Sequence, residues 1–244
     1  MCPKSGNFEK GKENMTFEVQ NGDALDLVRN IPDTSISAVI TDPPYMINLK
    51  STGNGGNKIS PFADTINGAY WYAEWFKEAR RILKPNGCLW TFLNWRSLVT
   101  FYKAACDIGW PIESLLIWDK GYISTGTMRG LRPSYEMVAL FIMPEFKIEN
   151  RGLSDIQRFK WSTYKPSGHP AEKPETLLQW LVDISTQPGD TVADLFCGSG
   201  TTGAAALKSG RSFIGIEQDT NWCKYTIERL GKIQNEMPVF DEHS

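Results

Sequence analysis

The sequence predicts an α/β protein built on a doubly wound, mostly parallel sheet. Apolar β-branched runs alternate with amphipathic helical segments from about residue 16 to residue 236. Two predicted strands end in unusual turns, since "ISAVI" runs into "TDPPY" at 41–45 and "TVADLF" runs into the glycine-rich "CGSGTTG" at 197–203. Loops that leave the carboxyl ends of parallel strands converge along one edge of a sheet. We therefore expect both turns to face one pocket.

The elements follow one another along the whole chain. In the first half the patterns predict strands at 16–20, 37–41, 88–93 and 112–118, and helices at 21–31, 70–87 and 97–109. In the second half they predict strands at 134–143, 191–196 and 212–217, and helices at 173–186, 201–210 and 221–234. Pro85 and Gly87 are expected to end the helix at 70–87. The strands at 112–118 and 134–143 are expected to form an antiparallel hairpin at the sheet edge.

Three segments stand outside this alternation. Residues 1–15 are polar and lack the apolar core of a signal peptide, which indicates a flexible leader. Residues 46–68 are rich in glycine and asparagine and far exceed the usual connection of about 4–6 residues, which indicates a functional loop. Residues 144–168 are polar, basic and aromatic, as expected of an insertion. The remaining stretches, 16–143 and 169–236, are expected to form a single domain.

Composition limits the function classes. No apolar run reaches the roughly 18 residues of a membrane span. Five cysteines without a CxxC pair argue against a zinc site and a disulfide framework, so we expect no metal and a cytoplasmic location. The net charge of −2 argues mildly against a nucleic-acid binder. However, residues 118–168 hold eight basic and five acidic side chains, so positive charge is concentrated there.

The glycine-rich turn predicts a nucleoside cofactor. Gly198, Gly200 and Gly203 form a GxGxxG motif between a strand and a helix, where the backbone turns tightly and the helix offers free N–H groups. Glu217, at the tip of the next strand, is placed to accept two ribose hydroxyls. Asp194 would repel the pyrophosphate of NAD but suits the cationic end of S-adenosylmethionine. These charges favour the methyl donor.

With these motifs the sequence resembles the amino-group DNA methyltransferases, which methylate exocyclic nitrogens of adenine or cytosine. "DPPY" precedes the cofactor loop, which is similar to the circularly permuted motif order of the β group. "GHPAEKP" (168–174), "NGDAL" (21–25) and "PSYEMVALF" (133–141) also resemble family segments. The resemblance implies a Rossmann-like S-adenosylmethionine-dependent sheet with an antiparallel edge hairpin, in a bacterial or phage-encoded enzyme acting on double-stranded DNA.

The resemblance also implies the site. The expected catalytic residues are Asp42, Pro43, Pro44 and Tyr45. The expected cofactor-binding residues are Asp23, Ala24, His169, Pro170, Lys173, Asp194, Phe196, Cys197, Gly198, Ser199, Gly200, Thr201, Thr202, Glu217 and Gln218. The expected DNA-binding residues are Arg129, Arg132, Arg151, Arg158, Lys160 and Lys165.

The chemistry of an exocyclic amine explains the carboxylate and the two prolines. Its nitrogen is a weak nucleophile because the lone pair is delocalised into the ring. Asp42 and the Pro43 carbonyl are expected to accept the two amine hydrogens, and the prolines fix the direction of that carbonyl. Tyr45 is expected to stack on the base, which must be flipped out of the duplex.

Several alternatives remain open at the level of sequence. Aspartate at the first motif position favours N6-adenine, whereas serine is commoner in N4-cytosine enzymes of the family. RNA or protein amino groups, or a non-catalytic DNA-binding relative, are the other interpretations. A recognition segment as short as 144–168 is consistent with a short target sequence, modest selectivity, or help from a second subunit in a homodimer.

Overall fold

The computed structural model describes residues 15–45, 65–123, 130–161, 167–169 and 172–236. Most of the predicted leader and of the loop at 46–68 lies outside these residues, as do Arg129, Lys165 and Pro170. The strands are β1 (Phe17–Asn21), β2 (Ile36–Thr41), β3 (Leu83–Leu93), β4 (Ser114–Asp119), β5 (Tyr135–Ile142), β6 (Ile156–Arg158), β7 (Thr191–Asp194) and β8 (Ser212–Glu217). The helices are α1 (Ala24–Leu27), α2 (Thr65–Ile82), α3 (Leu98–Asp107), α4 (Glu175–Ser185), α5 (Thr201–Lys208) and α6 (Thr220–Glu236), with a 3-10 turn (Val28–Asn30) after α1.

The strands form one sheet in the order β1-β8-β7-β2-β3-β5-β4-β6. All neighbouring pairs are parallel except those of β5, which runs antiparallel to both β3 and β4. This confirms the mostly parallel sheet and the antiparallel pairing of the strands predicted at 112–118 and 134–143. It also places the carboxyl ends of the seven other strands at the same edge as the amino end of β5.

Strand β6 is the element that the sequence patterns missed. It comes from the segment at 144–168 and pairs in parallel with β4 as the last strand in the order. Its three residues are too few to show a strand periodicity. Part of the predicted insertion therefore extends the sheet, and the predicted hairpin lies one strand inside that edge.

Helices cover both faces of the sheet, and strand β2 packs against the helices on both of them. Its six residues are all buried, and Val39 packs with α2 and α3 while Ala38 and Ile40 pack with α4 and α5. Such alternation follows from the two-residue period of a strand. A strand buried on both faces explains the continuous apolar run "ISAVI".

Helix α2 differs from its prediction at both ends. It begins at Thr65, so the last four residues of the predicted loop are helical, and it ends at Ile82 instead of reaching Gly87. Pro85 has no N–H to donate and clashes with the preceding helical turn, so the chain leaves the helix before it. The chain then enters β3, where the Pro85 carbonyl accepts a hydrogen bond from Glu145 N at 3.0 Å. Within the described residues, no helix is both long and apolar enough to cross a membrane.

Candidate active site

The TDPPY turn and the glycine-rich turn lie side by side because β2 and β7 are neighbours. Ala38 pairs with Val192 and Val39 with Ala193, in parallel register. At the carboxyl end of this pair, Thr41 Oγ1 donates a hydrogen bond to Asp194 Oδ1 at 2.6 Å. The two turns therefore open into one cleft, as expected, although about 150 residues separate them in the chain.

The cleft has a volume of about 370 Å³ and contains most of the predicted site residues. Those that line it are Asp23, Ala24, Asp42, Pro44, His169, Lys173, Asp194, Phe196, Cys197, Gly198, Ser199, Thr201, Thr202, Glu217 and Gln218. Pro43, Tyr45 and Gly200 support the cleft without lining it. Lining residues that were not predicted are Gly22, Thr41, Trp71, Phe92, Glu172, Leu178 and Leu195. Most of these are apolar or flank a predicted residue, so their pattern in sequence is that of ordinary core or turn positions.

The glycine loop is held in a conformation that other residues would not adopt. Gly198 and Gly200 have φ values of +50° and +75°, in the left-handed region. A Cβ atom on Gly200 would lie 2.5 Å from Thr226 Cγ2, so the loop packs directly against α6. Thr226 also donates to the Gly198 carbonyl at 2.8 Å, and Arg229 donates to the Ser199 carbonyl at 3.0 Å. The loop is a rigid cradle at the start of α5.

Glu217 and His169 flank this cradle. Glu217 Oε2 accepts a hydrogen bond from Gly198 N at 2.8 Å, and Oε1 accepts one from Asp219 N at 2.8 Å. A carboxylate has about four acceptor positions, so each oxygen keeps one for a ribose hydroxyl. His169 packs over Gly198 and meets the Trp222 ring edge-on at 4.5 Å, and burial lowers its pKa. This histidine therefore supports the loop through packing.

Asp23 lines the cleft beside the end of β8. Its Oδ1 atom accepts a hydrogen bond from Leu25 N at 2.8 Å and caps the short helix α1. The Gly22 N–H donates to the Glu217 carbonyl at 3.0 Å, which ties this turn to the end of β8. The segment "NGDAL" is thus fixed beside Glu217.

Asp194 is a carboxylate buried at the floor of the cleft. It accepts hydrogen bonds from Thr41 Oγ1, from Thr202 Oγ1 at 2.7 Å, and from Phe196 N at 3.1 Å. Burial raises the pKa of Asp194 to about 6 despite these donors. A buried carboxylate with a raised pKa favours a cationic ligand. Together with the hydroxyl acceptors of Glu217 and the glycine cradle, it fits the cationic nucleoside S-adenosylmethionine.

Asp42 faces the cleft with both oxygens engaged. Tyr45 donates its hydroxyl to Oδ1 at 2.7 Å, and the Lys173 ammonium contacts Oδ2. Lys173, which was predicted at the cofactor, thus contacts the catalytic motif, and only 11% of its side chain is exposed. Burial raises the pKa of Tyr45 well above its ordinary value, so its hydroxyl stays protonated and remains a donor.

Two charged residues that extend the ion pair of Asp42 and Lys173 were missed by sequence reasoning. Glu136 Oε2 lies 3.6 Å from Lys173 Nζ, and Glu136 Oε1 lies 2.5 Å from Lys120 Nζ. Burial alone would raise the pKa of Glu136, but the two lysines lower it overall. The available signal was a lone acid within the apolar stretch "YEMVALFI". It indicated a paired charge, since an isolated buried carboxylate is costly.

The predicted DNA-binding segment reaches the same edge of the sheet at the carboxyl end of β6. Arg158, at the carboxyl end of β6, pairs with Asp119 at 2.6 Å while 75% of its side chain remains exposed. Arg132, Arg151 and Lys160 are exposed as well. Phe159 packs against Trp180 at 5.6 Å and is therefore an anchor for this segment. The Trp161 ring stacks on Tyr122 at 5.4 Å.

A Rossmann-like sheet with a nucleoside cradle beside an Asp-Pro-Pro-Tyr turn defines an S-adenosylmethionine-dependent amino-methyltransferase. A sequence model described as DNA methylase, for the N6 and N4 methyltransferases, matches residues 36–228. The chain therefore belongs to this DNA methylase family, with the β-group arrangement of motifs and S-adenosylmethionine as its cofactor.

Individual relatives agree with this assignment, and solved structures share the fold. The putative methylase YubD of Escherichia coli K12 is 29% identical over 219 residues, covering 88% of this chain and 91% of YubD. The type II methyltransferase M2.LlaDCHI of Lactococcus lactis is 27% identical and covers 87% and 88%. The cytosine-N4-specific PvuII DNA methyltransferase has a similar fold, with a TM-score of 0.70, 20% identity and coverage of 94% and 95%. The complex of M1.HpyAVI with S-adenosylmethionine gives a TM-score of 0.65 at 23% identity, covering 88% and 100%.

The buried Asp194 predicts a pH-dependent stability. Its folded-state pKa of about 6 lies above the ordinary value of 3.8, so the folded protein binds this proton more tightly than the unfolded chain. The contribution of this group to stability therefore falls as pH rises from about 4 through about 6. Relative to Asp194→Asn, the wild type should lose on the order of 3 kcal/mol across this window. Urea unfolding of both proteins between pH 4 and 7 measures this, and a difference that does not change with pH would contradict it.

Proposed function

We propose that the protein transfers a methyl group from S-adenosylmethionine to the N6 amine of a flipped-out adenine in DNA. The observation that carries the proposal is the place of the Asp42 carboxylate, in the same cleft as the glycine loop and next to Asp194. A hydrogen-bond acceptor for an amine and a binding site for a cationic methyl donor thus share one space. Family membership supports DNA as the substrate in preference to RNA or protein.

Different residues of the cleft bind the methyl donor and the target amine. S-adenosylmethionine supplies an electrophilic methyl group on a positively charged sulfur. Asp42 accepts hydrogens of the target amine, which increases the electron density on its nitrogen, and its carboxylate takes up the proton that the nitrogen loses. The consecutive prolines hold this carboxylate and the Pro43 carbonyl in place, so that little reorganisation is needed. Asp194 and Glu217 hold the donor from the opposite side, and placement of the two reactants supplies much of the rate.

Tyr45 has two tasks in this proposal. Its hydroxyl donates to Asp42 Oδ1, which fixes the orientation of the carboxylate. We also assign to its ring, which follows directly on the prolines, the stacking of the extruded base. Adenine is favoured over cytosine by the aspartate at the first position of the motif, since serine is the common residue there in N4-cytosine enzymes.

The surface beside the cleft is suited to the DNA backbone. Arg132, Arg151, Arg158 and Lys160 are exposed, and Arg158 lies at the edge of the sheet where the cleft opens. We assign them contacts with phosphates, together with Arg129 and Lys165, which lie outside the described residues. The surplus of positive charge in residues 118–168 allows DNA binding although the whole chain carries a net charge of −2.

Asp42→Ala should slow methyl transfer by at least about 100-fold, because the amine loses its charged acceptor. Affinity for S-adenosylmethionine should stay within a few-fold, because Asp194 and the glycine loop remain. Transfer of labelled methyl groups to DNA and calorimetry with the donor measure the two quantities. Asp33→Ala is a matched control, since Asp33 also pairs with a cation but lies before β2 begins, away from the cleft. An Asp42→Ala enzyme with near wild-type turnover would remove Asp42 from the mechanism.

The methylated base can be identified directly. Genomic DNA from a methylase-deficient bacterium, treated with the enzyme and S-adenosylmethionine, should yield N6-methyldeoxyadenosine after digestion to nucleosides. Mass spectrometry separates this product from N4-methyldeoxycytidine. If N4-methyldeoxycytidine alone accumulates, the assignment of adenine is wrong while the role of the cleft stands.

Arg158→Ala should weaken binding to all duplexes alike, and the slope of log affinity against log salt should fall by about 1, as for the loss of one phosphate contact. Lys103→Ala is the control, since this exposed lysine pairs with Asp107 on α3. Fluorescence anisotropy at several salt concentrations measures both variants. An unchanged slope in Arg158→Ala would exclude a phosphate contact, and a loss confined to one target sequence would indicate base recognition instead.

A further inference from the structure

Four alternating charges cross the edge of the sheet beside the cleft. They run from Lys120 through Glu136 and Lys173 to Asp42. Lys120 comes from the end of β4, Glu136 from β5, Lys173 from the turn before α4, and Asp42 from the end of β2. The cluster thus joins the strand next to the proposed DNA-binding surface with the catalytic motif. Its two positive and two negative charges balance.

The cluster poses a problem for catalysis. Both oxygens of Asp42 are engaged, one by the Tyr45 hydroxyl and the other by the Lys173 ammonium. An ammonium in direct contact withdraws electron density from the carboxylate, which makes it a poorer acceptor for the hydrogens of an amine. Each oxygen of Asp42 keeps one further acceptor position, but an amine that approaches it meets a carboxylate whose charge Lys173 already offsets. A base entering the cleft therefore competes with Lys173 for Asp42.

Glu136 offers Lys173 a second position. Among the described residues, none donates a hydrogen bond to Glu136 Oε2, although this atom is buried. Lys173 Nζ lies 3.6 Å away, beyond the length of about 2.7–2.9 Å that a charged N–H···O bond adopts. A small rotation along the flexible lysine stem closes this gap. A buried acceptor that receives no full-strength hydrogen bond from the described residues is unfavourable, so Glu136 Oε2 offers the ammonium a position at which it can form one.

We propose that Lys173 is a positioning residue that moves between these two carboxylates. It holds Asp42 in the absence of a base and shifts to Glu136 Oε2 when the target amine reaches Asp42. The charge of the cluster does not change during this exchange, and Lys173 stays ionic at both positions. The proposal rests on the role of Asp42 proposed above.

The exchange predicts opposite effects for the two partners of Lys173. Glu136→Gln removes the charge that attracts the ammonium, so Lys173 stays on Asp42 and blocks the amine. Lys173→Met removes the competitor and leaves Asp42 accessible but less well held. Combining the two substitutions should therefore relieve the block, and the double variant should react faster than Glu136→Gln alone.

Single-turnover methylation tests this ordering, with saturating S-adenosylmethionine and methyl-free bacterial genomic DNA as the probe. We expect rates about 100-fold below wild type for Glu136→Gln, and about 10-fold below for both Lys173→Met and the double variant. Donor affinity should stay within a few-fold in all three. Lys84→Met is the control, because Lys84 pairs with Asp190 near the start of β3, at the opposite end of the sheet, and its loss should leave the rate unchanged.

If the rate of the double variant falls by the product of the two single-variant losses, the proposal is overturned. Such a result would show that Glu136 and Lys173 contribute to the rate independently. If Glu136→Gln does not fold, Lys173→Arg replaces it. The planar guanidinium binds both carboxylates at once, so this variant should react more slowly than Lys173→Met, and a faster arginine variant would overturn the proposal. Asp42→Ala distinguishes a failure of the proposed function from a failure of the lysine exchange. An active Asp42→Ala enzyme refutes the proposed function, whereas an inactive one with no recovery in the double variant refutes the lysine exchange alone.

Discussion

The parallel pairing of β2 with β7 is the constraint on which the rest of the site depends. It brings Asp42 and Asp194 to the same edge of the sheet, and the hydrogen bond from Thr41 to Asp194 closes the junction between their strands. The order of elements along the chain does not matter for this geometry. A catalytic turn that comes early and a cofactor loop that comes late are adjacent because the order of strands in the sheet places them so. The circularly permuted motif order therefore leaves the chemistry unchanged.

Burying the charged groups of the cleft costs free energy when no ligand is bound. This cost favours a ligand of opposite charge. Asp194 is buried with only hydroxyl and amide donors, so its pKa rises to about 6. A cation bound next to it would relieve the desolvation of the carboxylate, which is a physical reason for this site to accept a sulfonium in preference to an anionic cofactor. Near Asp42 the cation that offsets the charge of the carboxylate comes from the chain itself. Lys173 has a pKa that burial lowers, but the neighbouring carboxylates raise it overall, so it remains a cation.

Sequence reasoning succeeded where one local pattern determines one local structure. The six residues of β8 were predicted with their observed bounds, and the glycines at 198 and 200 occupy the left-handed backbone that the motif requires. It failed where the structure depends on distant partners. Strand β6 exists because β4 offers it a parallel edge, and the contact of Lys173 with Asp42 spans 131 positions of the chain. Neither short strands nor long-range ion pairs leave a periodic signal.

The central claim is that donor and acceptor meet between Asp194 and Asp42. A crystal structure of the protein with a non-reactive amine analogue of S-adenosylmethionine tests this most directly. The account predicts that the ribose lies at Glu217, that the cationic centre lies beside Asp194, and that the position of the transferable methyl group points toward Asp42. An analogue bound outside the glycine loop, or one whose cationic centre points away from Asp42, would contradict it.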